Sequence, residues 1–128
     1  MTINKVHHIA IICSDYKKSK KFYVDVLDLE PLQEIYREER DSYKLDLALN
    51  GEYIIELFSF PKPPPRSTRP EAAGLRHLAF EVDNLASNLL ELSEKGIEAE
   101  PVRTDEYTQK KFTFIFDPDN LPIELYQK

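Results

Sequence analysis

Arg76–Asn84 reads RHLAFEVDN, and the reading of this stretch decides the fold. Leu78, Phe80 and Val82 alternate with His77, Ala79 and Glu81, the period of two that marks a half-buried strand. His77 therefore stands on the polar face, and small Ala79 beside it leaves room for a bulky neighbour. One histidine on one strand is weak ground for a ligand. The ground firms because nearly the same stretch occurs twice.

His7–Asp15 reads HHIAIICSD. With His8 set on His77, Ala10 falls on Ala79, and Ile9 and Ile11 fall on Leu78 and Phe80. Each copy runs into residues suited to cap a helix, Asp15 in one and Asp83–Asn84 in the other. Further on, YIIELF (Tyr53–Phe58) and PIELYQ (Pro122–Gln127) share Ile-Glu-Leu. His8 and Glu56 are 48 positions apart, and His77 and Glu124 are 47 apart. A histidine strand, a helix and an Ile-Glu-Leu strand at near-constant spacing predict an internal repeat of half the chain. The chain thus reads as α+β, two modules of order βαβββ, over residues 5–60 and 75–127.

The 128 residues and 41% hydrophobic content suffice for one domain built of two small modules. A net charge of −6 argues against a nucleic-acid backbone as partner. No apolar run is long enough to span a membrane, and MTINKVHH lacks the apolar core of a signal peptide. A single cysteine, Cys13, cannot form an internal disulfide. These features predict a cytoplasmic protein. Cys13 lies on the strand face of Ile9 and Ile11, which predicts a small core residue.

Val6–Cys13 reads as the first strand, with His7 facing the side of Ile9 and His8 the side of Ala10. Asp15 caps a helix expected to reach about Leu27, burying Ser19, Phe22, Tyr23, Val26 and Leu27 and turning its lysines to solvent. Pro31 disfavours helix at the residue before it. Leu32–Arg37 and Tyr43–Leu49 read as strands, and Asn50–Gly51 as a hairpin turn into the strand Glu52–Phe60. On that strand Ile54, Glu56 and Phe58 share one face, with Tyr53, Ile55 and Leu57 on the other. Pro61–Gly74 holds five of the nine prolines and reads as an extended linker. In the second module a helix covers Leu85–Lys95, with Leu85, Leu89, Leu90 and Leu92 apolar and Gly96 closing it. Ile97–Val102 starts the next strand region, and Thr104–Lys110 forms a polar loop over the site. Lys111–Phe116 and Leu121–Gln127 are strands joined by the turn Asp117–Asn120.

Two histidines and two glutamates thus hold equivalent places in two copies of one unit. Brought together, two neutral imidazoles and two carboxylates neutralise a divalent cation and suit Ni²⁺, Zn²⁺, Co²⁺ or Fe²⁺ better than Ca²⁺. Such a metal can bind two adjacent oxygens of a small substrate and stabilise an enediolate as a proton leaves carbon. A glutamate beside it can take and return that proton.

The repeated unit, with HHIAI, Phe22–Tyr23, IIELF, RHLAFEVDN and DPDNLPIEL, resembles the vicinal oxygen chelate superfamily over almost the whole chain. The resemblance implies paired curved mixed sheets, the glyoxalase/bleomycin resistance/dihydroxybiphenyl dioxygenase fold. Glyoxalase I, or lactoylglutathione lyase, uses His, Glu, His and Glu at the places of His8, Glu56, His77 and Glu124. Epimerases of the superfamily usually have Gln in place of Glu56. Dioxygenases and fosfomycin transferases use three ligands, at His8, His77 and Glu124, and bleomycin-binding members generally lack the set. The four-ligand match implies a glyoxalase I-like lyase or isomerase acting on a 2-oxoaldehyde–thiol adduct or similar small α-hydroxycarbonyl. It implies one divalent metal, Ni or Zn first and Co, Fe or Mn as alternatives, with Glu124 and Glu56 as catalytic carboxylates. The alternatives are an Fe-dependent dioxygenase, a thiol transferase or a small-molecule-binding resistance protein. Short members commonly pair, which implies a homodimer. Two positions depart from the bacterial glyoxalase I pattern: Ile12 stands where Arg is typical and Phe60 where Asn is typical. Both positions help hold glutathione in that family, so the thiol of the adduct stays open.

Overall fold

In the computed structural model, which describes residues 1–128, the repeat takes the form of two mixed sheets of identical topology. The first unit, Met1–Pro64, contains β1 (Ile9–Cys13), α1 (Tyr16–Lys21), β2 (Glu30–Arg37), β3 (Ser42–Leu49) and β4 (Glu52–Ser59). The second unit, Pro65–Lys128, contains β5 (Leu78–Val82), α2 (Leu85–Glu94), β6 (Arg103–Thr104), β7 (Lys111–Phe116) and β8 (Pro122–Gln127). Strand order is β1-β4-β3-β2 in one sheet and β5-β8-β7-β6 in the other. In each, the first strand runs parallel to the last, while the others pair antiparallel. The α+β reading and the βαβββ order hold in both units.

In the first unit the apolar strand face closes on the helix. Ile11, Cys13, Leu45, Leu47, Ile55 and Leu57 are buried, as are Phe22 and Tyr23. Each such side chain contributes about 1.5–3 kcal/mol by leaving water. Asp15 caps α1 by accepting from the Lys18 N–H. The helix does not continue to Leu27 as a regular α-helix. At Phe22–Val26 it widens into a π turn, with Leu27 N–H donating to Phe22 O at 3.0 Å. Phe22 and Tyr23 both point inward, more than a regular helix can bury side by side, and the widened turn meets that demand. Asp28, at φ 57°, then ends it, three residues ahead of the proline. β2 begins two residues earlier than the sequence suggests and tolerates Pro31 because it is the edge strand. Asn50 and Gly51 both have positive φ, 51° and 82°, the geometry of the hairpin turn their sequence specifies.

The second unit follows the same plan with a thinner edge. Asn84 caps α2 through the Ser87 N–H, and Gly96 closes it at φ 78°. Leu85 and Leu92 are buried, but Leu90 is exposed, because it falls on the outer side of the helix stripe. No strand forms over Ile97–Val102, where one was expected to begin; the short strand β6 follows it instead. Glu100 still ties that segment to β7: its N–H donates to Phe114 O, and its carbonyl accepts from Thr113 Oγ1 at 2.6 Å. The proline-rich stretch has no regular secondary structure between residues 61 and 74, yet its later half is docked. Arg66 Nη2 donates to Leu75 O at 2.9 Å, and Thr68 Oγ1 to Asn120 O at 2.8 Å.

Candidate functional site: two histidine–glutamate pairs

Sheet register places the candidate residues. In the first unit β1 pairs with β4 so that Ala10 lies opposite Glu56; in the second, β5 pairs with β8 so that Ala79 lies opposite Glu124. His8 and His77 precede Ile9 and Leu78, the first residues of their strands. Each histidine is thus two residues from the alanine facing the glutamate, on the same side. His8 Nε2 stands 3.7 Å from Glu56 Oε1, and His77 Nε2 stands 3.0 Å from Glu124 Oε2. The structure therefore joins His8 with Glu56 and His77 with Glu124. Within neither unit does a group of three or more His, Cys, Asp or Glu side chains gather as a metal cage, since each unit carries one copy of the pair.

The donor chemistry fits a borderline divalent metal. Two ligands about 2.1 Å from such an ion and at a right angle lie about 3.0 Å apart, which is the His77–Glu124 separation. The histidines and glutamates are part-buried, at 35% and 16% side-chain exposure in the first pair and 30% and 14% in the second. They are shielded enough to bind and open enough to be reached.

The two pairs differ in their neighbours, and the sequence reading missed this. Positions 44 and 46 on β3 face Glu56, since Asp46 pairs with it directly. Lys44 Nζ lies 2.8 Å from Asp46 and 3.4 Å from Glu56. The hydrogen bond and charge of Asp46 raise the Lys44 ammonium above the usual lysine range, against the opposing pull of burial, with Glu56 adding to the rise. Tyr53 was expected on the core face, with Ile55. A register shift in the β3–β4 ladder leaves Ala48 opposite Tyr53 and Leu47 opposite Ile55. Ile54 is the extra residue, and the bulge turns Tyr53 to the side of Glu56. Its hydroxyl donates to Asp46 at 3.1 Å and to Glu56 at 3.2 Å. Burial first, then these carboxylates, push its phenol up, so it stays a donor. Its ring stacks on His8 at 5.2 Å.

His7 also departs from its expected place. Strand pairing begins only at Ile9, so strict alternation does not apply ahead of it. His7 Nδ1 lies 2.8 Å from His8 Nδ1, and its ring meets Tyr53 edge-on at 5.5 Å. The positions corresponding to Lys44 and Asp46 in the second unit are Phe112 and Phe114, which face Tyr126 and Glu124 across β8. Phe114 meets His77 edge-on at 5.2 Å, and Glu124 pairs with that histidine. A cleft of about 500 Å³ opens here, with Arg69, Arg76 and Arg103 around it. The loop after Thr104 touches β8 through Tyr126 rather than Glu124: Tyr126 Oη bonds Asp105 Oδ2 at 3.1 Å and also contacts Thr108. Ile12 lies exposed in line with His8 and Ala10, and Phe60 stacks on Phe58 under the Arg37 guanidinium.

Parity could have found Lys44 and Asp46, which alternate with core Leu45 and Leu47. The same parity marks Phe112 and Phe114 around Thr113. The bulge that moves Tyr53 leaves no such mark.

The chain is similar to known proteins over almost its whole length. The family described as Glyoxalase/Bleomycin resistance protein/Dioxygenase superfamily matches residues 5–125. The uncharacterized protein YwkD of Bacillus subtilis (strain 168) is 67% identical over the full length of both chains. A solved glyoxalase family protein from Enterococcus faecalis superposes with a TM-score of 0.90 at 47% identity, covering 98% of this chain and 99% of that one. A lactoylglutathione lyase of Schizosaccharomyces pombe (strain 972 / ATCC 24843) is 31% identical, over 98% of this chain and 48% of its own length.

Proposed function

The chain belongs to the Glyoxalase/Bleomycin resistance protein/Dioxygenase superfamily, and from that premise we propose that it is a metal-dependent, glyoxalase I-like lyase or isomerase. The observation that carries the reading is the register-equivalent His–Glu pair in each unit, His8 with Glu56 and His77 with Glu124. These four residues hold one divalent metal, Ni or Zn in preference to Co, Fe or Mn. The similarity to a lactoylglutathione lyase supports the reaction class. The substrate is a 2-oxoaldehyde–thiol adduct or a similar small α-hydroxycarbonyl. The single cysteine is buried and forms no disulfide, in keeping with a reaction in the cytoplasm.

When bound, the metal supplies Lewis acidity toward two adjacent substrate oxygens. The chain's own residues move the proton. Glu124 has the freer carboxylate of the two and takes a proton from substrate carbon, then returns it to the neighbouring carbon. Glu56, held by Lys44 and Tyr53, keeps its position. Phe114, edge-on to His77 and opposite Glu124, limits water near the transferred proton.

The test combines elemental analysis with turnover of a panel of thiol–methylglyoxal adducts. Glu124→Gln keeps shape but loses the basic oxygen, and kcat should fall by about 10²–10⁴-fold with metal retained. Wild-type product formed in D₂O should carry solvent deuterium. A Glu124→Gln variant with full turnover would reject the assignment, and O₂ consumption would select the dioxygenase chemistry instead.

A further inference from the structure

The cleft beside His77 and Glu124 has a composition that the proton-transfer reading does not use. Three guanidiniums and three carboxylates line it, together with an apolar floor that includes Phe112, Phe114 and Phe116. Arg103 lies over the first two rings, its Cζ 5.0 Å from the Phe112 centroid and 5.5 Å from that of Phe114. Stacking of this kind fixes the plane of a guanidinium while leaving its N–H donors at the rim.

The charges here are unevenly matched. Arg76 is satisfied by Glu71 at 2.6 Å. Arg69 and Arg103 both lean on one carboxylate, Glu100, at 3.4 and 3.5 Å. Both contacts are longer than a good charge-assisted hydrogen bond. Glu124 is engaged by His77. Arg69 and Arg103 therefore share a single carboxylate across long contacts, and most of their donors are left for a ligand. Glu100 does not need its side chain to hold its place, because its backbone is bonded to Phe114 and Thr113.

The first unit supplies the contrast. At the two register-equivalent positions it carries Lys44 and Asp46, which neutralise each other at 2.8 Å. The second unit replaces that closed pair with Phe112 and Phe114. An apolar floor next to an under-neutralised arginine pair suits a ligand with a flat apolar body and one anionic end.

We propose that this cleft is the specificity subsite for a monoanionic carboxylate on an apolar or aromatic body, read by Arg69 and Arg103 above Phe112 and Phe114. The inference rests on the proposed function in one respect: the reacting end of such a molecule would lie toward His77 and Glu124. A substrate anchored by its own carboxylate here has no need of the polar residues that Ile12 and Phe60 replace.

The probe is 3-phenylpropionate, compared with its neutral amide, titrated into the full chain by NMR. Each titration is run on protein as purified and after chelator treatment. The acid should bind at least about 10-fold more tightly than the amide, as a charge-assisted contact requires, in both preparations. Arg103→Met should erase that preference. Glu100→Gln should do the opposite and tighten the acid by about 3- to 10-fold, because it frees both arginines. A gain of binding cannot come from a damaged fold. Equal binding of acid and amide, or no tightening in Glu100→Gln, would overturn the inference. A preference that vanishes on chelation and ignores Arg103→Met would assign the anion to the metal and overturn it too. Loss of metal or of turnover in the parent protein bears only on the proposed function, since the acid-to-amide ratio in chelated protein does not depend on either.

Discussion

Lys44 is the residue whose removal should have opposite effects on the metal-free and metal-bound protein. Its ammonium lies 2.8 Å from Asp46 and 3.4 Å from Glu56, and those carboxylates are only 13% and 16% exposed. Lys44→Met keeps most of the aliphatic stem and removes the charge. Two shielded carboxylates then face each other with only the Tyr53 hydroxyl between them. At 3.4 Å and an effective dielectric of about 20, the lost attraction to Glu56 alone is about 5 kcal/mol gross. Most of that is offset by the lysine's recovered hydration, and a hydrogen bond to a charged group is worth about 1.5–3 kcal/mol net. Lys44 is itself 24% exposed, so water screens part of the remainder. A loss of about 1–2 kcal/mol at pH 7 follows, read by urea unfolding in the presence of chelator. The same substitution removes a positive charge next to a proposed metal ligand and leaves Glu56 without its ammonium partner. Metal affinity, measured by chelator competition, should rise by about 10-fold, which corresponds to about 1.4 kcal/mol. Unchanged stability together with unchanged or weaker metal binding would show that Lys44 does not restrain Glu56, and the contrast between the two units would lose its meaning.

Three further outcomes are expected. His77→Ala should abolish stoichiometric metal, while His7→Ala should retain it despite the contact of its ring with His8; elemental analysis showing the reverse would shift the ligand register. The protein should sediment as a homodimer at micromolar concentration, covering the exposed edge strand β2 with its Leu32 and Ile35, and a lone 15.0 kDa species would refute this. Glu34 is held below its ordinary value of 4.5 by Lys20 and then by the Tyr16 hydroxyl; a depressed carboxylate stabilises the fold fully above its ordinary value and loses that contribution as pH falls through the folded one. Glu34→Gln should therefore flatten the rise in unfolding midpoint on going from pH 3 toward pH 5, and a slope identical to the parent's would count against the contact.

Much of the fold was legible because it rests on local rules. Alternation marked β3, β4, β7 and β8 to within one or two residues, and Asp15, Asn84, Asn50–Gly51 and Gly96 perform the capping and turning duties their chemistry suggests. The His–Glu pairs were legible because strands of matched register carry them. What escaped is what one strand does to another. The π turn at Phe22 answers a packing demand from the sheet, and the bulge at Ile54 appears only when β3 and β4 are laid side by side. β6 is short because Glu100 reaches β7 through single bonds outside a ladder. His7 turned toward His8 because the strand that would have separated them starts two residues later.

The difference between the two units bears on which carboxylate moves a proton in the proposed reaction. A duplicated unit begins with two equivalent glutamates. Glu56 now lies among a lysine, a tyrosine hydroxyl and a histidine, all of which hold its carboxylate in place. Glu124 meets only His77 and the edge of an aromatic floor. A proton acceptor must change partners during turnover, and a carboxylate held by three groups pays more to do so than one held by a single group. The surroundings that make Glu124 the more mobile base also open the cleft in which an apolar substrate would rest against Phe112 and Phe114. Exchanging those surroundings should therefore exchange the roles. Phe112→Lys with Phe114→Asp would give Glu124 the restraint now on Glu56, and on this reasoning it costs kcat more than metal affinity. If instead both fell together, the aromatic pair would be acting on the site's integrity and not on the freedom of Glu124.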